Sequence, residues 1–436
     1  MGKIAVTLNR HCACTTLDLE ALHHELGADT EGARLYRAIV ESRPHLLAAT
    51  PVFLGREDIA AMQAAIDAVE AVAALPGYLD AIAGHRPSLA TQAPRALGVF
   101  FGYDFHFTDT GPRLIEINTN AGGAFINALL ARAHLLCCVG TRLAAGNAPE
   151  RAFFDMFLKE WRRERAGARL QRIAIVDDTP DAQYLEPEFV LARRLFEANG
   201  IEAVVTAPEA LTFRDGRLWL GPAPIDLVYN RLTDFALAAP QYAALAEAYA
   251  ARAVVLTPHP YAYWRYADKR NLVTLSDDAA LAQLGAPAAA RALLKSTIPA
   301  TRLVTADAGD YFWQTRDEWF FKPATGYGSK AAYRGDKVTK RVFAEILAKD
   351  YVAQAVVPPS TRRVIASGAD AALSFDVRCY VYDGEIQLVA ARLYRGQTTN
   401  FRTAGGGFAP VMVPGVGRRI REICPPQNRA ATDATS

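Results

Sequence analysis

The residues of this chain best suited to chemistry are Asp104, Glu116 and Asn118. They lie within Leu97-Gly-Val-Phe-Phe-Gly-Tyr-Asp-Phe-His-Phe-Thr-Asp-Thr-Gly-Pro-Arg-Leu-Ile-Glu-Ile-Asn. Alternation places Val99, Phe101, Tyr103, Phe105 and Phe107 on one face, a core face, and Gly102, Asp104 and His106 on the other. Thr108-Asp-Thr-Gly-Pro112 has turn chemistry, and the return strand points Glu116 and Asn118 to one side and Ile115 and Ile117 to the other. A loop over Asp109 to Gly111 pairs Thr108 with Pro112 and sets Asp104 directly opposite Glu116. Facing carboxylates repel across neighbouring strands, and a shared proton or a cation relieves the repulsion. Two carboxylates and an amide oxygen form a hard, oxygen-only ligand set that suits Mg²⁺ or Mn²⁺ rather than zinc. Magnesium usually takes phosphate oxygens as well, so a nucleotide is the natural third party. The alternative is a solvent-facing hairpin with chance acids.

Basic residues and glycines recur further along. Trp319-Phe-Phe-Lys322-Pro-Ala-Thr-Gly-Tyr-Gly-Ser-Lys330 puts a lysine at the end of an aromatic strand, followed by a loop with Gly326 and Gly328. Glycines let backbone N–H groups approach phosphate oxygens, and a lysine nearby offsets charge; a surface turn explains the pattern as well. Lys269 stands at the start of an expected helix. Tyr351 to Val357 reads as a short apolar strand containing Gln354. Phe375 to Arg392 is a hairpin around Asp383-Gly384, with Phe375, Val377, Cys379 and Val381 buried and Asp376 and Arg378 on the opposite face. The polar segment Arg395 to Gly407 holds Asn400, Arg402 and three consecutive glycines, and is either backbone held close to something or a flexible loop. His11-Cys12-Ala13-Cys14 lacks an evident second pair of zinc ligands, so the six cysteines are expected to be buried or incidental thiols.

These residues need elements to position them. From Leu17 to about Gly84 the pattern is helical, with apolar residues recurring at three and four. Around Leu97 the period becomes two, and helices follow over about Ala124 to Ala144 and up to the charged run Lys159 to Gly167, which reads as a linker. From Arg172, strands at Ile173–Val176, Ala203–Thr206 and Ile225–Tyr229 alternate with a helix over Glu186 to Asn199 and a small hairpin around Asp215-Gly216. That alternation implies a parallel sheet whose ligand edge lies at the strand C-termini. Just past the third strand stand Arg231 and Asp234, which either face a ligand or cap the next helix. Beyond Val254 helices are expected near 268–278, 287–296 and 340–349, with strands between and after them.

The chain has 436 residues, 51% of them apolar and 22% charged, which excludes a disordered chain. Lys+Arg of 48 against Asp+Glu of 46 disfavours nucleic acid and anionic membrane as partners. No stretch reaches the roughly 18 apolar residues of a membrane span, and the N-terminus lacks the apolar run of a signal peptide. A cytoplasmic protein is expected.

In their joint order these pieces resemble the ATP-grasp family of carboxylate–amine ligases. Lys269, Lys322, the Gly326–Lys330 loop, Gln354, Asp376-Val-Arg378, Arg392 and Asn400 to Gly407 match the family pattern except its closing Asp and Glu-x-Asn. Those stand instead near the N-terminus, as Asp104 and Glu116-Ile-Asn118. The resemblance implies an α/β (α+β) ATP-grasp fold in circularly permuted order, with a small parallel-sheet pre-ATP-grasp domain similar to that of glutathione synthetase-like members. The expected units are 1–165 (N-terminal helices and metal hairpin), 166–253 (pre-ATP-grasp), 254–425 (nucleotide-binding lobes) and a frayed tail, 426–436.

The resemblance implies ATP and Mg²⁺ (or Mn²⁺), an acylphosphate, and an amide as product. Asp104, Glu116 and Asn118 would hold the metal. Lys269, Lys322, Gly326, Gly328, Ser329 and Gln354 would hold the nucleotide. Arg378 or Arg392 would polarise the carboxylate. Asn120, Arg231, Asp234, Asn400 and Arg402 would face a small-molecule or peptide acid and an amine. Homodimers are common in such folds. The competing readings are a kinase-like phosphotransferase and a nucleotide-binding regulatory protein without turnover.

Overall fold

The computed structural model describes residues 1–135, 141–144, 149–326, 328, 331–366 and 368–415. Ser329, Lys330, Cys137, Cys138, Cys424 and the expected tail lie outside the described residues.

The architecture is mixed α/β. Its centre is an eight-stranded sheet in which strand Ala369–Tyr382 lies between Glu385–Tyr394 on one side and Phe101–Thr108 on the other, with Gly111–Asn118 outside the latter. The early ribbon therefore joins the late strands directly, and Arg378 pairs with Asp104 across the seam. Valines, phenylalanines and tyrosines at alternate positions make these strands: Tyr103, Phe105 and Phe107 pack in one core with Phe375, Val377, Cys379 and Val381. Asp383-Gly384 turns the later hairpin with φ of 53° and 78°, the positive values a two-residue turn of this hand requires. Helix Arg56–Ala73 covers the same face. It turns Met62, Ala65, Ile66, Val69 and Val72 inward at spacings of three and four.

A second sheet is parallel throughout, in the order Val255–Thr257, Leu227–Asn230, Arg172–Val176, Glu202–Thr206. The fourth strand, Val255–Thr257, was not expected; its three residues are too few to show a period. Helix Glu186–Ala198 crosses between two of these strands. A third sheet, antiparallel, runs Thr301–Val304, Tyr351–Ala355, Trp319–Pro323, Tyr333–Arg334.

The charged run from Lys159 is not a linker. Lys159 to Glu164 close the helix Pro149–Glu164, and Glu160, fully buried, accepts hydrogen bonds from Leu97 N, Gly98 N, the Thr257 hydroxyl and the Tyr382 hydroxyl. Four donors satisfy the carboxylate, so a charged sequence can pack inward. The helix expected over 268–278 is broken at Asp277, whose side chain caps a new helix from Asp278. The helix from Ala124 ends at Arg132. Among the described residues no helix is long and apolar enough to cross a membrane.

Candidate functional site

Asp104 and Glu116 are partners in register, but by a different route from the one expected. The turn is tighter, pairing Thr108 with Gly111 rather than Pro112, and a bulge between Asp104 and Phe105 restores the offset. Asp104 is 1% exposed. Arg378 grips it with two hydrogen bonds of 2.6 Å, Arg392 donates to it at 2.9 Å and the Asn118 amide at 3.3 Å. Arg392 also donates to Asp376 at 2.7 and 3.0 Å, and Asp376 accepts from the Thr399 hydroxyl. Burial alone would raise the Asp104 carboxyl; the two guanidiniums outweigh it and hold it below the usual range. Asp104, expected as a metal ligand, has both oxygens bonded to arginine in this structure.

Glu116 faces amines instead. Lys269 Nζ lies 3.1 Å from its carboxylate and also donates to the Gly326 carbonyl at 3.0 Å. Lys322 Nζ donates to the Ile115 carbonyl and to Gln354 Oε1, both at 2.8 Å. Burial would raise the Glu116 carboxyl, but Lys269 and Lys322 hold it below its ordinary value, so it is anionic at neutral pH. Burial, aided by the like charge of Lys269, brings Lys322 down to about 8 against the pull of Glu116. Among the described residues no group of three or more His, Cys, Asp and Glu side chains is arranged to hold a metal. The donor set that fits a hard cation is reduced to the anionic Glu116 and the carbonyl oxygen of Asn118, whose amide nitrogen is turned to Asp104. Two protein oxygens leave room for phosphate and water, which suits magnesium.

Two cavities meet here. One of about 370 Å³ has Lys269, Lys322, Glu116, Gln354, Thr398 and Thr399 in its wall and the segment Ala355–Pro359 along its edge. The other, about 240 Å³, is lined by Asn118, Asn120, Asp177, Arg231, Arg378 and Arg392. Gly326 lines both, and Gly328 the second. Arg231 is buried, donates to the Asn120 side chain and lies over the Tyr229 ring at 5.4 Å.

Three expected substrate residues fall elsewhere. Asp234 accepts from Ala236 N, Ala238 N and Ala239 N at 2.9–3.1 Å, so it caps its own loop. Asn400 does the same, donating to the Arg395 and Thr398 carbonyls and accepting from Arg402 N and the Thr403 hydroxyl. Arg402 is exposed and lines neither cavity.

Two residues were not singled out. His106, which burial holds below its usual pKa, bonds the Val357 carbonyl at 2.7 Å and lines the first cavity. Its signal was its place two residues beyond Asp104 on the same strand. Asp177 follows the last residue of strand Arg172–Val176, at the sheet edge where the parallel topology already placed a ligand.

No family model matches the chain, and no curated protein matches it in sequence. Among solved structures, the apo form of a glutathione synthetase-like effector from Globodera pallida superposes with a TM-score of 0.54 and 11% identity, over 89% of this chain and 98% of that one. The chain shares the fold of that glutathione synthetase-like effector. Two further structures superpose too loosely to add to this. A putative gamma-glutamylcysteine synthetase from Methylobacillus flagellatus gives a TM-score of 0.45, with 12% identity over 84% of this chain and 89% of that one. The D-cycloserine synthetase DcsG gives 0.29, with 18% identity over 56% and 91%. The larger cavity lies between two sheets: Phe320, Lys322 and Gln354 come from the antiparallel one, and His106, Glu116 and Ser374 from the central one.

Proposed function

We propose that the chain is an ATP-dependent carboxylate–amine ligase that forms an amide through an acylphosphate. One observation carries this reading. Lys269, Lys322 and Glu116, distant in sequence, converge on a cavity that shares Gly326 with a second, arginine-lined one. A triphosphate in the first would lay its phosphates against the two lysines, its adenine against the backbone of Ala355 to Pro359. Glu116 and Asn118 would hold Mg²⁺, which when bound supplies charge neutralisation at the phosphates.

A substrate carboxylate oxygen in the second cavity then attacks the terminal phosphorus, and ADP leaves. An amine nitrogen attacks the resulting acyl carbon, loses a proton, and expels phosphate to leave the amide. Arg378 and Arg392 line the second cavity while anchored by Asp104, so their remaining donors are fixed in place for the acid and for the oxyanion of the second step. Gly326, which accepts from Lys269 and lines both cavities, stands at the join where water must be kept from an acylphosphate. Arg231 and Asn120 bind the acid. The early ribbon, paired here with the late strands, is the part the permutation displaces.

Purified protein is incubated with ATP, Mg²⁺ and pools of acids and amines, with ADP release followed and products identified by mass. ADP release that needs both an acid and an amine is expected. A stable phosphorylated product without amine would replace the ligase with a phosphotransferase.

A further inference from the structure

A third cavity, of about 360 Å³, shares no lining residue with the two described. It opens on the opposite face of the central sheet, since Phe101 in its wall alternates with Gly102 and Asp104 along one strand. Glu70, near the end of helix Arg56–Ala73, and Arg265 both line it.

These two charges face the same space without pairing. Each Glu70 oxygen accepts one tyrosine hydroxyl, from Tyr103 at 3.0 Å and Tyr266 at 2.6 Å. Arg265 is held by one hydrogen bond, Nη2 to the Ala73 carbonyl at 2.7 Å, and by lying over the Tyr266 ring at 5.4 Å. Its Nε is buried with no hydrogen-bond partner. No ion pair joins Arg265 to any carboxylate among the described residues, nor Glu70 to any cation. Burial pushes the Glu70 carboxyl above its ordinary value despite the tyrosines and Arg265. A buried donor without a partner and a desolvated acid are both costly, and a fold that needed only packing would let them meet. Their positions are fixed by tyrosines and by a helix end, which keeps them apart.

Much of the rest of the wall is apolar, including Ala74, Pro94, Leu97, Phe101, Tyr261 and Val381, and His259 also lines it. Asp383 stands in the wall as a second acid, already tied to Arg163 at 2.7 Å. A simple anion would meet Glu70 and Asp383, and a simple cation would meet Arg265. A molecule carrying both charges on an apolar body answers every feature.

We infer that this cavity is a second ligand site, for a free α-amino acid with an apolar side chain: its carboxylate on Arg265, its ammonium on Glu70, its side chain against Phe101 and Leu97. The site does not depend on the ligase reading.

The test is calorimetric titration of the full chain with L-phenylalanine and L-leucine, beside phenylpropionate and phenethylamine, which each keep one charge. Saturable binding of at least one amino acid at millimolar concentration is expected, with each half-molecule about tenfold weaker. Arg265→Gln should weaken amino acid and phenylpropionate alike, and Glu70→Gln should weaken amino acid and phenethylamine. Arg214→Gln, exposed on the hairpin around Asp215-Gly216, should change nothing. Thermal unfolding reports whether each variant folds; if Arg265→Gln does not, having lost its bond to Ala73, Glu70→Gln decides alone. No binding of either amino acid, undiminished binding in Glu70→Gln, or binding lost in Arg214→Gln overturns the inference.

Discussion

The two strands of the 101–118 ribbon carry facing carboxylates and treat them in opposite ways. The inner strand, Phe101–Thr108, is paired on both sides and almost wholly buried, and its Asp104 is caged by Arg378 and Arg392. The outer strand, Gly111–Asn118, is half-buried at the edge of the sheet, and its Glu116 looks across at lysines from another part of the chain. Register brings the acids together; the neighbours decide what each does. An acid with an arginine on each oxygen is an anchor, whereas one facing ammonium groups beside a cavity can exchange them for a metal and a phosphate. The inner acid fixes the arginines of the second cavity, and the outer acid serves the first.

Removing the inner anchor should have the largest effect. Asp104→Ala leaves two buried guanidiniums short of their counter-charge and is expected to cost about 3–5 kcal/mol of stability, read from urea unfolding. A variant within about 1 kcal/mol of the parent would end the distinction between the strands, since that is the ordinary scale of a point substitution. Glu116→Gln should do the reverse. Its fold should survive while Mg²⁺-dependent ADP release drops by about 10²–10³, the scale of losing one electrostatic contact at a reacting centre. Normal turnover in this variant would remove the outer strand from the site.

How far this was legible in the sequence depends on the range of the interaction. Alternation and the Thr108-Asp-Thr-Gly-Pro112 turn placed Asp104 opposite Glu116, yet the turn and the bulge each departed by one residue and cancelled. The lysines, Gln354 and the arginines were visible through their order along the chain, a weak signal summed over many positions. The arginine cage was not visible, because nothing local in Asp376-Val-Arg378 states that its partner lies 274 residues away. Nor was the role of Asp234 and Asn400. Both sit among turn residues at loop starts, where a short polar side chain as readily bonds its own backbone as a ligand. Glu160 shows the same limit: a charged stretch reads as solvated until four donors from other elements are seen on it.

A smaller effect sharpens the outer strand. Lys322 bonds the outer strand at the Ile115 carbonyl and, on another strand, Gln354, so Lys322→Met should leave Glu116 in place and weaken ATP about tenfold by calorimetry. Unchanged affinity would show that Lys269 alone meets the phosphates.

The smallest effect is a matter of one proton. Lys322 loses its proton at about 8 in the folded chain, against an ordinary value of 10.5. Between those two values the unfolded chain holds the extra proton, so this group makes stability rise with pH there; below about 8 both states are protonated and it adds no slope. Nucleotide affinity should move the other way, falling as pH rises through about 8, because a neutral amine no longer attracts phosphate. Lys322→Met should flatten both dependences together. The opposed signs separate this group from a carboxylate, which at that pH is ionised in both states. An affinity flat across the same range in the parent protein would mean that the charge of Lys322 does not reach the phosphates.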